Sequence, residues 1–323
     1  MKTIVPIFFS VNDSYSPYLA TALASIKDNA SKEYTYRIHI LSDDISEPSR
    51  EKLLAFSDED FQIGFYPLTE RLLALPGVKN LQEHCFGAFS SLTIYFRLFI
   101  PVLFPQYDKA IYLDCDIVVP GDISQLWEEP LGHYLLGAVA DYSIQNIAPF
   151  LNYIDNYVGV DHRNYVNSGV LLLNCKRLRE MDLSGRFLEC VEKYSLEAVA
   201  PDQDYLNTLC WGGIMYLDPN WNAMPSECLP DMENPHIIHF NLSTKPWLNE
   251  IVPYGELFWK YARHSGFFRQ IVLARRAFLQ DVKAVRKYKN AVAALIKMAV
   301  RLTSAPQSFR SIISSRKELR LCS

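Results

Sequence analysis

Lys109-Ala110-Ile111-Tyr112-Leu113-Asp114-Cys115-Asp116-Ile117-Val118-Val119 reads as an apolar strand that runs into acid. Two aspartates one residue apart follow the run Ala110–Leu113, and a second β-branched run comes after them. Successive side chains of an extended chain alternate between faces, so Asp114 and Asp116 are expected on one side and Cys115 on the other. Two carboxylates at the end of a buried strand repel each other and are costly to desolvate. A divalent cation removes both penalties. All-oxygen carboxylate ligation suits Mg²⁺ or Mn²⁺, which leave positions open for substrate phosphates. The same spacing recurs at Asp58/Asp60 and Asp202/Asp204. The first of these follows Ser57 with no strand leading in, and reads as a solvated turn.

Thr3–Phe9, Tyr36–Leu41 and Phe61–Tyr66 read as strands. They are separated by helical patterns over Pro17–Asn29 and Ser46–Phe56, the second with Ser46 as its N-cap. This β-α-β-α-β order predicts a doubly wound sheet with ligands at the carboxyl ends of its strands. The polar loop Asn12–Tyr15 sits at such an end. It lacks Gly-x-Gly-x-x-Gly, so a dinucleotide fingerprint is absent. Leu92–Phe104 reads as a buried helix, and its Arg97 calls for an anionic partner. Leu135–Ala140 is a strand ending at Asp141, and residues 142–165 read as a long surface loop or short helices. Asn167-Ser168-Gly169 opens the strand Val170–Leu173. Helices are expected around Ser184–Tyr194, Asp202–Cys210 and Pro253–His264, with short strands at Ile214–Leu217 and Ile237–Phe240.

The 323 residues allow one large α/β domain or two smaller ones. Seven cysteines with no Cys-x-x-Cys pair favour neither a disulfide framework nor a zinc site. With no long apolar leader and no run near the ~20 residues of a membrane span, the expectation is a cytoplasmic protein. The net charge of −4 hides an asymmetry: residues 261–323 hold 14 Lys and Arg against 2 acids, while the remainder holds 18 against 34. The division expected is a catalytic body, 1–260, and a basic, largely helical arm, 261–323. Apolar residues of the arm at helical spacing, interleaved with Lys and Arg, suit peripheral contact with the anionic inner leaflet of a membrane. A helix packed on the acidic body is the other reading. Removing the arm is expected to leave chemistry in the body intact. The acidic body disfavours nucleic acid as a partner.

Seven short motifs stand in order: Asn12-Asp13-Ser14-Tyr15, Ser91–Leu98, Tyr112–Asp116, Asn167–Leu172, Asp202-Gln203-Asp204, Trp221-Asn222, and His239-Phe240 with Lys245-Pro246-Trp247. Together, over roughly residues 3–260, they resemble the family 8 retaining glycosyltransferases, which include glycogenin and bacterial lipopolysaccharide galactosyl- and glucosyltransferases. The resemblance implies an α/β GT-A fold, a Rossmann-like nucleotide half and an acceptor half sharing one central mixed sheet. It also implies roles. Asp114, Asp116 and His239 would hold Mn²⁺ (or Mg²⁺) against the diphosphate of a UDP-glucose or UDP-galactose donor, with Cys115 between them in the donor site. Tyr15 would stack on uracil beside Asn12 and Asp13. Arg97 would lie beside the diphosphate or a donor-site carboxylate, and Asp141, Asn167 and Ser168 would hydrogen-bond the donor sugar. Lys245 would neutralise the leaving diphosphate, and Gln203 and Asp202 would flank the reacting sugar. The acceptor would be a glycan or a glycolipid such as a lipopolysaccharide core. The alternative is a catalytically inactive sugar-nucleotide or glycan-binding protein of the same fold, which UDP release would separate from an enzyme. Two departures stand out: Leu242 occupies a loop where relatives place a small residue, and Asn12 replaces a common acid.

Overall fold

The computed structural model describes residues 2–75, 78, 92–225 and 232–313. Cys85, Cys228, Cys322 and the stretch Gln82–Ser90, expected to order on donor binding, lie outside the described residues. The chain packs into two units. Unit 1 holds residues 1–67, 110–130 and 217–292, and unit 2 holds 68–109, 131–216 and 293–323. The boundary expected near 260 falls inside unit 1, and the basic arm is divided between the two.

Unit 1 carries β1 (Thr3–Ser10), β2 (Tyr34–Leu41), β3 (Phe61–Tyr66) and β4 (Ala110–Leu113), all parallel, in the order β3-β2-β1-β4. Val5, Ile7, Phe8 and Phe9, and all of β4, are fully buried. That continuous apolar run is what a parallel strand covered on both faces requires. Each such side chain contributes about 1.5–3 kcal/mol by leaving water. The helix Ser16–Asn29 follows β1 and buries Leu19, Leu23 and Ile26. The helix Glu47–Leu54 follows β2. Ser46 does stand at its N-cap, but its hydroxyl bonds Asp13 and Ser49 instead of capping. The sequence order is that of a doubly wound sheet, and it reverses between β1 and β4. Ligands bind outside the strand carboxyl ends at such a reversal. The loop after β1 is Asn12–Tyr15, and the one after β4 is Asp114–Asp116.

Unit 2 carries β6 (Leu136–Ala138), antiparallel to β7 (Val170–Leu173) and parallel to β8 (Ile214–Tyr216). Among the described residues the strand order is β3-β2-β1-β4-β7-β6-β8, a mixed sheet as expected. Leu92–Phe104 is not one helix. A 3-10 stretch, Leu92–Leu98, gives way to a short α-helix, Ile100–Leu103, with Pro101 in its first turn. Proline lacks the N–H that an uninterrupted helix would use there. Residues 142–165 form short helices: Tyr142–Ile144, Ala148–Tyr153, Ile154–Val158 and His162–Asn164.

Among the described residues the arm holds the helices Phe268–Gln280, Val282–Lys289 and Ala291–Thr303, and 309–313 are helical as well. Asp281 ends the first and caps the second, its carboxylate accepting from the N–H groups of Lys283 and Ala284. Among the described residues no helix is long and apolar enough to cross a membrane.

Candidate active site

Asp114 and Asp116 converge, but not by strand alternation. β4 ends at Leu113, and the two aspartates lie in the bend between β4 and β5 (Ile117–Val118). Cys115 is buried, with its thiol turned to the carbonyl of Ser10 at 3.5 Å. The bend is pinned from behind. Ser25 Oγ accepts from the N–H of Val119 at 2.9 Å, and Asn29 Nδ2 donates to the Val119 carbonyl at 3.0 Å.

β5 pairs antiparallel with β9 (Ile238–His239), placing Ile117 opposite His239, and the N–H of Phe240 donates to the carbonyl of Asp116 at 2.9 Å. His239, more than a hundred residues away in sequence, thereby lies against the aspartates. Its Nε2 is 3.3 Å from Asp116 Oδ1 and 3.7 Å from Asp114 Oδ2. The other ring nitrogen, Nδ1, is 3.1 Å from Asn222 Oδ1. An amide oxygen only accepts, so the proton belongs on Nδ1 and the Nε2 lone pair faces the carboxylates. One ligand atom from each of Asp114, Asp116 and His239 lies within 4.8 Å of the other two. Two carboxylates and a neutral imidazole so oriented fit a Mn²⁺-type cation. Tyr112, whose hydroxyl donates to Asp114 at 2.9 Å, and Asn222 steady this set. Asn222 and Tyr112 both stood within motifs, but neither was expected to steady the cluster.

Lys245 reaches the same cluster, its ammonium in contact with Asp116 Oδ2. Burial opposes ionisation of Asp116, but the Lys245 ammonium outweighs it and holds the carboxyl well below the usual range. Leu242, in the loop between His239 and Lys245, has a φ of 44°, in the left-handed region. A side chain there costs about 1–2 kcal/mol.

At the end of β1, Asn12 Oδ1 accepts from the N–H of Tyr15 at 3.2 Å and the hydroxyl of Ser14 at 2.7 Å. Asp13 Oδ1 accepts from the N–H and hydroxyl of Ser46 at 3.1 and 2.9 Å. Burial works against the Asp13 carboxylate, yet bonds from Ser49 and Ser46 keep its pKa lowered. Asn12 and Asp13 thus shape the loop and join it to the turn after β2. Tyr15 is 39% exposed and packs edge-on against Tyr18 at 5.2 Å. Tyr18 stacks on Trp247, centroids 3.9 Å apart.

The remaining site residues form a second network, inside unit 2. The backbone bridge Ala140↔Val166 prolongs the β6–β7 pairing and sets Asp141 beside Asn167. The helix Pro201–Leu209 presents Asp202, Gln203 and Asp204 in its first turn, where the helix dipole favours acids. Gln203 Oε1 accepts from the N–H of Ser168 at 3.0 Å and from Asn167 Nδ2 at 3.2 Å, while its Nε2 donates to Asp141 Oδ2 at 2.9 Å. A backbone N–H only donates, so the amide can face one way only. Arg97 Nη1 lies 3.1 Å from Asp202 Oδ2 and donates to the Ser168 carbonyl at 2.7 Å. The anionic partner that Arg97 calls for is therefore Asp202, which also accepts from the Ser168 hydroxyl at 2.8 Å.

Sequence reading passed over Asp204. It is fully buried and accepts from the hydroxyls of Tyr165 at 2.6 Å and Tyr153 at 2.8 Å, and from the N–H of Ala200 at 3.1 Å. Burial raises its pKa to about 7 against those three bonds. Between the ordinary carboxylate value and about 7 the folded chain holds a proton that the unfolded chain has released. Its contribution to stability is therefore present in mild acid and lost as pH rises toward 7. The unfolding free energy should carry a downward slope of up to ~1.4 kcal/mol per pH unit from this group between pH 5 and 7. Urea titrations across that range should show the slope in the natural chain and its loss in Asp204→Asn. An equal slope in both would rule Asp204 out as the source.

A parallel sheet with a carboxylate pair, an imidazole and a lysine at its order reversal is suited to binding a cation beside an anionic ligand. The chain belongs to glycosyl transferase family 8, whose sequence model matches residues 6–250. It is 26% identical over 284 residues to general stress protein A of Bacillus subtilis, covering 81% of this chain and 94% of that one. It is 27% identical over 259 residues to the lipopolysaccharide 1,2-glucosyltransferase of Escherichia coli K12, covering 75% and 72%. Among solved structures it is similar to a galactosyltransferase, LgtC, in complex with donor and acceptor sugar analogs. That match has a TM-score of 0.65 and 27% identity, and covers 80% of this chain and 96% of the other. Against four other relatives the chain spans 24–64% of their length.

Proposed function

We propose that this protein transfers a hexose, glucose or galactose, from a UDP-sugar to a hydroxyl of a glycan or lipid-linked saccharide, such as a lipopolysaccharide core, with retention of configuration. The observation that carries the reading is the pairing of β5 with β9, which assembles Asp114, Asp116 and His239 beside Lys245. Asp114, Asp116 and His239 would hold Mn²⁺ or Mg²⁺, which when bound supplies positive charge to a diphosphate leaving group. Lys245 adds charge where the departing phosphate becomes more negative. Tyr15 offers an exposed ring for the base. Asp141, Asn167 and Ser168 bind sugar hydroxyls. Asp202 is neutralised by the buried guanidinium of Arg97, and the Gln203 amide is locked by its own bonds. Neither is poised as a covalent nucleophile, which favours attack by the acceptor on the face the diphosphate leaves.

UDP release from UDP-glucose and UDP-galactose, measured with Mn²⁺ and with EDTA, tests this reading. Release from one donor that stops in EDTA is expected. Binding of a UDP-sugar without any release would instead identify an inactive binding protein.

The arm supports a further part of the proposal, peripheral contact with an anionic membrane. The exposed apolar side chains of Phe268, Leu273, Leu279 and Val282 stand among exposed Arg269, Arg276, Lys283 and Arg286. Each basic group near such a surface contributes ~1 kcal/mol. Flotation with phosphatidylserine vesicles at low salt should carry the protein upward, and 0.5 M salt should release it. Absence of the protein from the vesicle fraction at low salt would end the membrane proposal.

A further inference from the structure

We infer that Tyr288, on the arm helix Val282–Lys289, is a positioning residue for Lys245. This rests on the reading that Lys245 neutralises the leaving diphosphate. Tyr288 Oη accepts from the N–H of Lys245 at 3.4 Å and from Asn249 Nδ2 at 3.0 Å. The same Asn249 amide donates to the carbonyls of Ser243 at 2.8 Å and Lys245 at 3.0 Å. Asn249 thus closes residues 243–249 into one hydrogen-bonded turn whose outer anchor is the tyrosine. Arg275, from the preceding arm helix, donates to the Asn249 carbonyl at 3.3 Å. Phe278 meets the Tyr288 ring edge-on at 5.7 Å. On the other side the turn is held by Trp247, stacked on Tyr18 and packed 5.0 Å from Phe258.

A lysine head on four rotatable carbons is only as well placed as the backbone beneath it. Lys245 is 8% exposed, so little water stands ready to replace a lost contact. Displacement of a charge-neutralising group by about 1 Å costs up to ~10²-fold in rate. The arm is therefore not a separable appendage, contrary to the expectation that its removal leaves the chemistry intact. Its second helix builds one wall of the turn that carries the lysine.

Four full-length proteins test this: the natural chain, Tyr288→Phe, Lys245→Ala, and the double variant. UDP release is followed with Mn²⁺ and the better donor sugar, and hydrogen exchange is read on residues 243–249. Tyr288→Phe keeps the ring packing and removes the hydroxyl. It should lower kcat roughly fivefold, about what one hydrogen bond contributes, with a smaller change in KM, and should speed exchange in the turn. In the Lys245→Ala background the same change should cost nothing further. An equal additional loss in that background, or unchanged exchange in Tyr288→Phe, would overturn the proposal. If Lys245→Ala alone leaves UDP release untouched, the diphosphate reading fails, and the exchange data still decide whether Tyr288 holds the turn.

Discussion

Replacing Asp116 with Asn should lower UDP release by about three orders of magnitude, with Mn²⁺ affinity falling in parallel. With a cation bound, the carboxylate would have two partners that a neutral amide cannot satisfy, that cation and the Lys245 ammonium. A bound cation stabilises a diphosphate leaving group by several kcal/mol, and ~4 kcal/mol corresponds to ~10³ in rate. The variant should also be less stable at neutral pH, by about 3 kcal/mol, because breaking a largely buried ion pair leaves an unpaired ammonium. The sign follows from the depressed pKa of Asp116. Such a group contributes stability above the ordinary carboxylate range and loses it only as pH falls through its lower folded value. The deficit should therefore be full at pH 7 and shrink in strong acid. Isothermal calorimetry with Mn²⁺, UDP release, and unfolding at pH 7 and pH 3 separate the three effects. Natural turnover in the Asn variant, or full activity of the natural chain in EDTA, would remove the metal from the reading.

Lys245→Ala should separate two quantities that ordinary damage lowers together. Loss of a cation aimed at developing negative charge costs ~10²–10³ in kcat. Yet the same ammonium lies against Asp116 and competes electrostatically with any cation bound there. Without it the cluster is one unit more negative, so Mn²⁺ affinity should hold or rise while turnover collapses. Calorimetry and UDP release on the same preparation provide the check. A parallel fall in both would mean that the lysine holds the cluster together, and unimpaired turnover would mean that it does not act on the leaving group.

Much of the fold was legible because its signals are local. The buried parallel strands β1 and β4 declare themselves as uninterrupted apolar runs, since both of their faces are covered. The turn at Asp58 and Asp60 was read from its polar setting, and the structure shows why it holds. Asp58 accepts from the N–H groups of Asp60 and Phe61 at 2.9 and 2.8 Å and pairs with Lys27. The long helix expected across the arm fails at Asp281 for an equally local reason that periodicity overlooks. Aspartate there satisfies two N–H groups of a new helix better than it continues the old one.

The site was legible as a set of residue types and not as an arrangement. Two aspartates at a strand end point to a positive partner from spacing alone, because like charges so close need neutralising, and Lys245 on Asp116 is one such partner. Local pattern could not show that the aspartates turn together through a bend, since alternation along a strand predicts the same outcome by another route. Nor could it show that His239 and Lys245 arrive at the same point, that Asn222 sets the imidazole's proton, or that Tyr288 anchors the lysine's turn. Each of these depends on which distant segments pair, β5 with β9 above all. That choice belongs to the packing of the whole unit, where a two-residue strand has too little hydrogen bonding of its own to specify a partner.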